Sequence, residues 1–132
     1  MADSIEEAIL TKVYTVLHTK YSETTFGTPE LNNDGRFIWI SPNIVKNTYY
    51  YDNNFERFII YIYVSTFDYE STRDAALEVR NLFNKKVLTL ATGYTNLHTY
   101  CAPQDIIYEQ DFEAGIRTVR IITVNARAVK NK

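Results

Sequence analysis

The stretch Phe55–Phe67, FERFIIYIYVSTF, constrains the fold more than any other part of the chain. β-Branched and aromatic residues dominate it, which is strand composition. Its alternate positions make two faces: Phe58, Ile60, Ile62 and Val64 on one, and Ile59, Tyr61, Tyr63 and Phe67 on the other. A strand with one wet face alternates apolar with polar residues. This strand is apolar on both sides, so each face needs a cover, from another part of the chain or from another subunit. The apolar run Phe58–Val64 is also far short of the ~20 residues that a membrane helix needs.

Two helices are available to supply one cover. Ser4 and Glu7 form a capping box, and Ile5, Ala8, Ile9, Val13, Val16 and Leu17 recur at helical spacing up to Lys20. Ser71-Thr72-Arg73-Asp74 offers a second cap. Ala75, Ala76, Val79, Leu82, Phe83 and Val87 then keep helical spacing, with Lys85 and Lys86 in the last turn. Between the first helix and the long strand, residues 21–35 read as a loop containing Gly27 and Pro29, long for a compact domain and a natural candidate for ordering on contact. Phe37–Ile40 reads as a short strand stopped by Pro42, and Ile44–Tyr51 as a second, turned back at Asp52-Asn53-Asn54.

The last third reads as a hairpin: Gln104–Gln110, an acidic turn from Asp111 to Gly115, and a long strand from Ile116 to about Val129. Helix, three strands, helix, then two or three strands is an α+β order, a mainly antiparallel sheet packed with two amphipathic helices. One hundred and thirty-two residues suit a single domain spanning 1–132. The acidic start (Asp3, Glu6, Glu7) lacks the basic opening of a secretory signal, which predicts a soluble, cytoplasmic chain with no membrane partner.

Catalytic chemistry has little to work with. His18 and His98 have no acid or cysteine at a metal or nucleophile spacing, and Cys101 stands alone beside Ala102-Pro103. Carboxylates gather at Asp68 and Glu70 and again at Asp105, Glu109, Asp111 and Glu113, the latter around the hairpin turn where acids are simply solvated. With four glycines in all and no phosphate-loop, nucleophile-elbow or zinc-helix motif, the expectation is a protein with no enzymatic activity, no cofactor and no metal.

Contact residues are more plentiful. Eleven Tyr and seven Phe raise the aromatic fraction to 14%, and tyrosine suits a wet but well-packed interface. Tyr49, Tyr50, Tyr51, Tyr61, Tyr63 and Phe67 are the candidate interface aromatics. They also suggest a platform for single-stranded nucleic acid, an alternative of a different class. Five bases against eight acids in the first sixty-six residues, and a net charge of −2, weigh against it. After Glu113 the chain has no acids. In its last strand Arg117 and Arg127 share a face with Val119, Ile121, Thr123 and Asn125, while Arg120 shares the other with Ile122, Val124, Ala126 and Ala128. Arg117 and Arg127 are therefore candidates to meet acidic groups on a neighbouring subunit or a partner, or phosphates of DNA.

The opening helix Ser4–Lys20, the aromatic strand Phe55–Phe67, the polar connection Asp68–Asp74 into the helix Ala75–Val87, and the closing hairpin Tyr108–Val129 together resemble the tail-terminator (tail-completion) proteins of long-tailed bacteriophages. The chain departs from many members in entering its first strand by Asp34-Gly35-Arg36 instead of a Pro-aromatic pair. The resemblance implies a structural virion protein of the tail or neck, made in the host cytoplasm. It would form a hexameric ring at the head-proximal end of the tail tube, end tube polymerisation and join tail to head. The implied partners are other copies of the chain, the tail-tube protein and the head-completion or connector protein, with passing contact to DNA in the lumen. Another head–tail adaptor, a stopper or neck ring, is the alternative within this class.

Overall fold

A computed structural model of the chain describes residues 4–29, 35–41, 44–48, 55–66, 68–112 and 115–131. The first helix, α1, runs Ile5–Lys20, and the Ser4 hydroxyl oxygen accepts from the Glu7 backbone N–H at 3.1 Å, as the capping box requires. Ile5, Ala8, Ile9, Val13 and Leu17 make its buried stripe. Among the described residues seven strands form a single sheet: β1 (Thr25–Phe26), β2 (Phe37–Ile40), β3 (Val45–Thr48), β4 (Phe55–Thr66), β5 (Tyr94–Cys101), β6 (Ile106–Phe112) and β7 (Gly115–Lys130). The second helix, α2, spans Tyr69–Phe83 between β4 and β5.

The centre of the sheet is the antiparallel pair β4–β7, in register from Phe55↔Val129 to Thr66↔Thr118. Each member is flanked on its outer edge by two shorter strands placed end to end. β2 and β3 line β4; β5 and β6 line β7. The β1–β2 contact is parallel, and every other pairing is antiparallel. The expected α+β class is what the chain adopts.

Both helices pack on one face of this sheet. Phe58, Ile60, Ile62 and Val64 of β4, Ile122, Val124, Ala126 and Ala128 of β7, and Ile38 and Ile40 of β2 meet Ile9, Val13, Leu17, Ala76, Val79 and Phe83 of the helices. Burying a side chain of the size of Phe58 or Ile62 stabilises by roughly 1.5–3 kcal/mol, and each is completely buried. The face of β4 read from alternation as Phe58–Val64 is thus the core face, and the Arg120-side positions of β7 join it as expected.

Several boundaries differ from the sequence reading. α2 starts two residues before Ser71 because Asp68 caps it: its carboxylate accepts from the Glu70 N–H at 3.3 Å and from the Ser71 hydroxyl at 2.8 Å. The helix stops at Phe83, before Val87, which is exposed; Lys85 takes a left-handed φ of 58° that ends the helical path. Residues read as a long loop contain β1, and Tyr21 and Thr24 there are buried. Along the hairpin the ladder persists to Phe112↔Gly115, well into the expected acidic turn. Of the expected strand Ile44–Tyr51, Val45–Thr48 is described as strand, and Tyr49, Tyr50 and Tyr51 lie outside the described residues.

β5 carries a bulge between Asn96 and His98. Asn96 is buried there and holds the irregularity together. Its amide nitrogen donates to the Arg127 carbonyl (2.9 Å) and the His98 carbonyl (3.2 Å), and its oxygen accepts from the Leu88 N–H (2.8 Å) and the Thr99 hydroxyl (3.1 Å). One side chain thereby ties the segment after α2 to the sheet.

Candidate functional site: the open face of the sheet

The period of two that builds the core places a second set of residues on the opposite face. β4 contributes Arg57, Ile59, Tyr61, Tyr63 and Ser65, which stand directly opposite Arg127, Asn125, Thr123, Ile121 and Val119 of β7. Phe37 and Trp39 extend the face from β2, His98 and Tyr100 from β5, and Tyr108 from β6. None of these residues belongs to the core cluster that receives the helices.

One end of it is closed. Trp39 stacks on Tyr63 with ring centroids 5.1 Å apart and planes 12° from parallel, and Trp39, Ser65 and Val119 are buried. Arg117 is fully buried at this end, 0% exposed. Its guanidinium donates to the Ser65 hydroxyl at 3.2 Å and to the Gly35 carbonyl, and lies 4.7 Å above the Phe37 ring. Arg117 therefore locks the residue-35 segment to the sheet. The expectation that it shares with Arg127 a role as an accessible contact is corrected: alternation gave the right face, but the local cover over that face takes the side chain inside.

The other end is half open. Arg57 donates to the Asn125 side-chain oxygen at 3.0 Å, and Arg127, its direct cross-strand neighbour, is half-buried. Next across the sheet, His98 pairs in register with Arg127, its ring 5.5 Å from that of Tyr100. Tyr61 and Tyr63, expected at an interface, are half-buried here, and Phe67 lies outside the described residues. Burial, reinforced by Tyr63, raises the Tyr108 hydroxyl above its ordinary pKa. No described position that the register puts on this face is Asp or Glu. Arg57 was missed as a candidate because periodicity reveals which face a residue takes, whereas only the register reveals that it meets Arg127.

Other chemistry-bearing residues are held in structural contacts. Asp105 bridges Arg80 at 2.8 Å and Arg120 at 3.6 Å, and Arg80 also donates to the Ala102 carbonyl at 2.6 Å, so α2, the β5–β6 connection and β7 are joined. Cys101 is buried under this group, and burial pushes its thiol pKa up to about 11. His18 is exposed on α1 and stacks on Tyr14. Among the described residues no three His, Cys, Asp or Glu side chains gather closely enough to hold a metal, and no helix is long and apolar enough to cross a membrane. A groove of about 250 Å³ beside α1, lined by Glu7, Ala8, Thr11, Lys12, Thr15, Thr89 and Ala91, falls below the range of about 300–1,000 Å³ usual for ligand sites.

No family model matches the chain, and no curated protein matches it in sequence. A chain of a solved structure described as the virion of a native gene transfer agent (GTA) particle superposes with a TM-score of 0.68 at 14% identity. The match covers 97% of this chain and 99% of that one. With both chains covered almost end to end, the two share one fold.

Proposed function

We propose that this chain is a structural protein of a phage-like virion, and specifically a tail terminator. In this reading it forms a ring at the head-proximal end of the tail tube, stops tube growth and joins the tail to the head. The observation that carries the reading is the end-to-end fold match to a chain of a gene transfer agent virion, joined to the tail-terminator pattern of helices and strands. Fold alone does not fix function, so the features of the site matter. A ring subunit works through contact faces and needs no reacting groups. Here Asp68 caps a helix and Asp105 bridges Arg80 and Arg120, while among the described residues neither helix packs on the aromatic sheet face. The proposal includes the absence of enzymatic activity and of a bound metal or cofactor.

The partners on this reading are other copies of the chain, the tail-tube protein and a head-completion or connector protein, with DNA passing through the lumen. Electron microscopy of the intact particle tests it. The expected result is a ring of this chain, six-fold on the tail-terminator reading, seated directly on the last ring of tube subunits. Density for this chain one layer higher, against the head, would assign it instead to a stopper or neck adaptor. Its absence from the particle would end the virion reading altogether.

A further inference from the structure

We infer that the chain extends its sheet from copy to copy, the outer edge of β6 in one copy pairing antiparallel with the outer edge of β1 in the next. The inference rests on the ring reading and names the strands that would join its subunits. Among the described residues β6 pairs only with β7, in an unbroken ladder from Ile106↔Ile121 to Phe112↔Gly115. An antiparallel strand turns every second N–H and C=O away from its partner, so this edge presents a row of backbone groups to the outside. Strand β5, which lies end to end with β6, is treated differently. Thr99 pairs across its outer edge with Lys86, and the Cys101 N–H donates to the Asn84 side-chain oxygen at 3.0 Å. The chain covers the β5 edge itself and leaves the β6 edge bare.

The side chains of β6 suit an edge that is filled. Ile106 is 53% exposed and Ile107 is 44% exposed, although alternation sends them to opposite faces of the sheet. Edges of soluble proteins are guarded by charge, proline or a bulge. Here the ladder has no bulge, and the nearest acid, Asp105, is turned inward onto Arg80 and Arg120. Glu109 stands further along the strand and leaves the two isoleucines uncovered. At the opposite edge of the sheet, Phe26 of β1 is 50% exposed and stacks on Tyr14 of α1 with ring centroids 4.9 Å apart. Tyr14 stacks in turn on the exposed His18 at 5.3 Å. Each lateral edge therefore shows apolar or aromatic side chains beside backbone that has no strand next to it.

The register identifies the occupant as a second copy. Thr25, Trp39, Tyr63, Ile121 and Ile106 form one continuous row across β1, β2, β4, β7 and β6, so the two bare edges are the two ends of the same row. Followed strand by strand, these pairings make β6 antiparallel to β1. A neighbour in the same orientation thus sets its β1 beside β6 with the polarity an antiparallel ladder requires. The faces match too. Ile106 and Thr25 share the face away from the helices, and Ile107 and Phe26 share the helix side. With Ile106 opposite Thr25, Ile107 lies diagonal to Phe26 of the next copy, within reach of an aromatic ring. Because β1 is short, this apolar contact supplements a brief ladder. Joining opposite ends of one sheet is head-to-tail association, which closes into rings, whereas β6 against β6 would stop at a two-fold dimer.

Two variants of the full chain test the assignment, I106K/I107K on β6 and F26K on β1, each placing guarding lysine on one edge. Circular dichroism confirms folding, and native mass spectrometry with sedimentation at rising concentration reads the assembly. Each variant alone should associate at least ~tenfold more weakly than the wild-type chain. An equimolar mixture should form one-to-one pairs and nothing larger. In such a pair the intact β6 of F26K meets the intact β1 of I106K/I107K, and no second working edge is left. Hydrogen exchange on the wild-type chain should slow at the amides of β6 and of Thr25 and Phe26 as it assembles. That measurement needs no variant, so it decides the matter if a variant folds poorly. Assembly of either variant as tightly as wild type overturns the assignment of edges, and so does assembly that leaves the β6 amides unprotected. A wild-type chain that stays monomeric at millimolar concentration also overturns it, as does β6 protection that arises only when purified tail-tube subunits are added. The ring reading is judged separately, by micrographs of the particle.

Discussion

The hydroxyl of Tyr21, at the end of α1, donates to the Glu78 carboxylate on α2 across 2.5 Å, although 57 residues of sequence separate the two. The Tyr21 ring is buried, and the Arg36 guanidinium lies 4.7 Å above it while bridging to Glu23 at 2.7 Å. Two helices and the segment leading into β2 therefore meet at one phenol. Tyr21→Phe keeps the ring and removes the hydrogen bond. It should lower stability by about 1 kcal/mol, a loss of about 3–5 °C in Tm, measured by thermal unfolding.

The same pair predicts two limbs in the pH dependence of stability. Burial first, and then the bond to Glu78, raise the Tyr21 pKa above its ordinary 10.0. A raised pKa means stability fully present below about pH 10 and lost as pH climbs toward the folded value. For Glu78 the bond from Tyr21 lowers the pKa below its ordinary 4.5, so its contribution is present above that value and lost as pH falls through the folded one. Unfolding by denaturant across pH should show a plateau between these limits. Tyr21→Phe should abolish the alkaline limb attributable to this residue and weaken the acid one; an unchanged profile would mean that the pair contributes nothing.

Arg117 and Arg127 should behave differently, although sequence places them on one face. Replacing Arg117 by Glu puts a carboxylate beside the Gly35 carbonyl in a closed environment, and the chain should lose more than about 2 kcal/mol or fail to fold. Arg127→Glu, at a half-buried position, should leave the isolated chain folded. Circular dichroism and urea titration of the two single variants separate these outcomes.

Cys101 should be inert in the native protein. Burial raises its thiol to about 11, so little thiolate exists at neutral pH and reagents have no path to it. Disulfide-exchange reagents should label it at the rate of unfolding, and rapidly in guanidinium. Fast labelling of the folded chain at pH 7 would show that the Arg80–Asp105 corner opens.

Most of the fold was legible because its signals are local. The Ser4–Glu7 box, the stripe from Ile5 to Leu17 and the alternation in Phe58–Val64 each need only a few neighbouring residues to read, and each took its expected place. What escaped depends on partners distant in sequence. β1 is two residues long and exists through its pairing with Trp39 and Ile40, and β5 hides its period behind the Asn96 bulge. The open face was half legible. Tyr61, Tyr63 and Arg127 followed from period two, but the meeting of Arg57 with Arg127 is a fact of register, and the burial of Arg117 depends on the residue-35 segment folding over it.

The position of β7 has a consequence for the order of events during synthesis. It occupies the middle of the sheet yet follows every other strand along the chain, so β4 emerges from the ribosome and waits through α2, β5 and β6 for its principal partner. Until then neither the core face nor the arginine row has two sides. A nascent or truncated chain therefore has no finished sheet face, because each face is completed only when the long final strand pairs with β4.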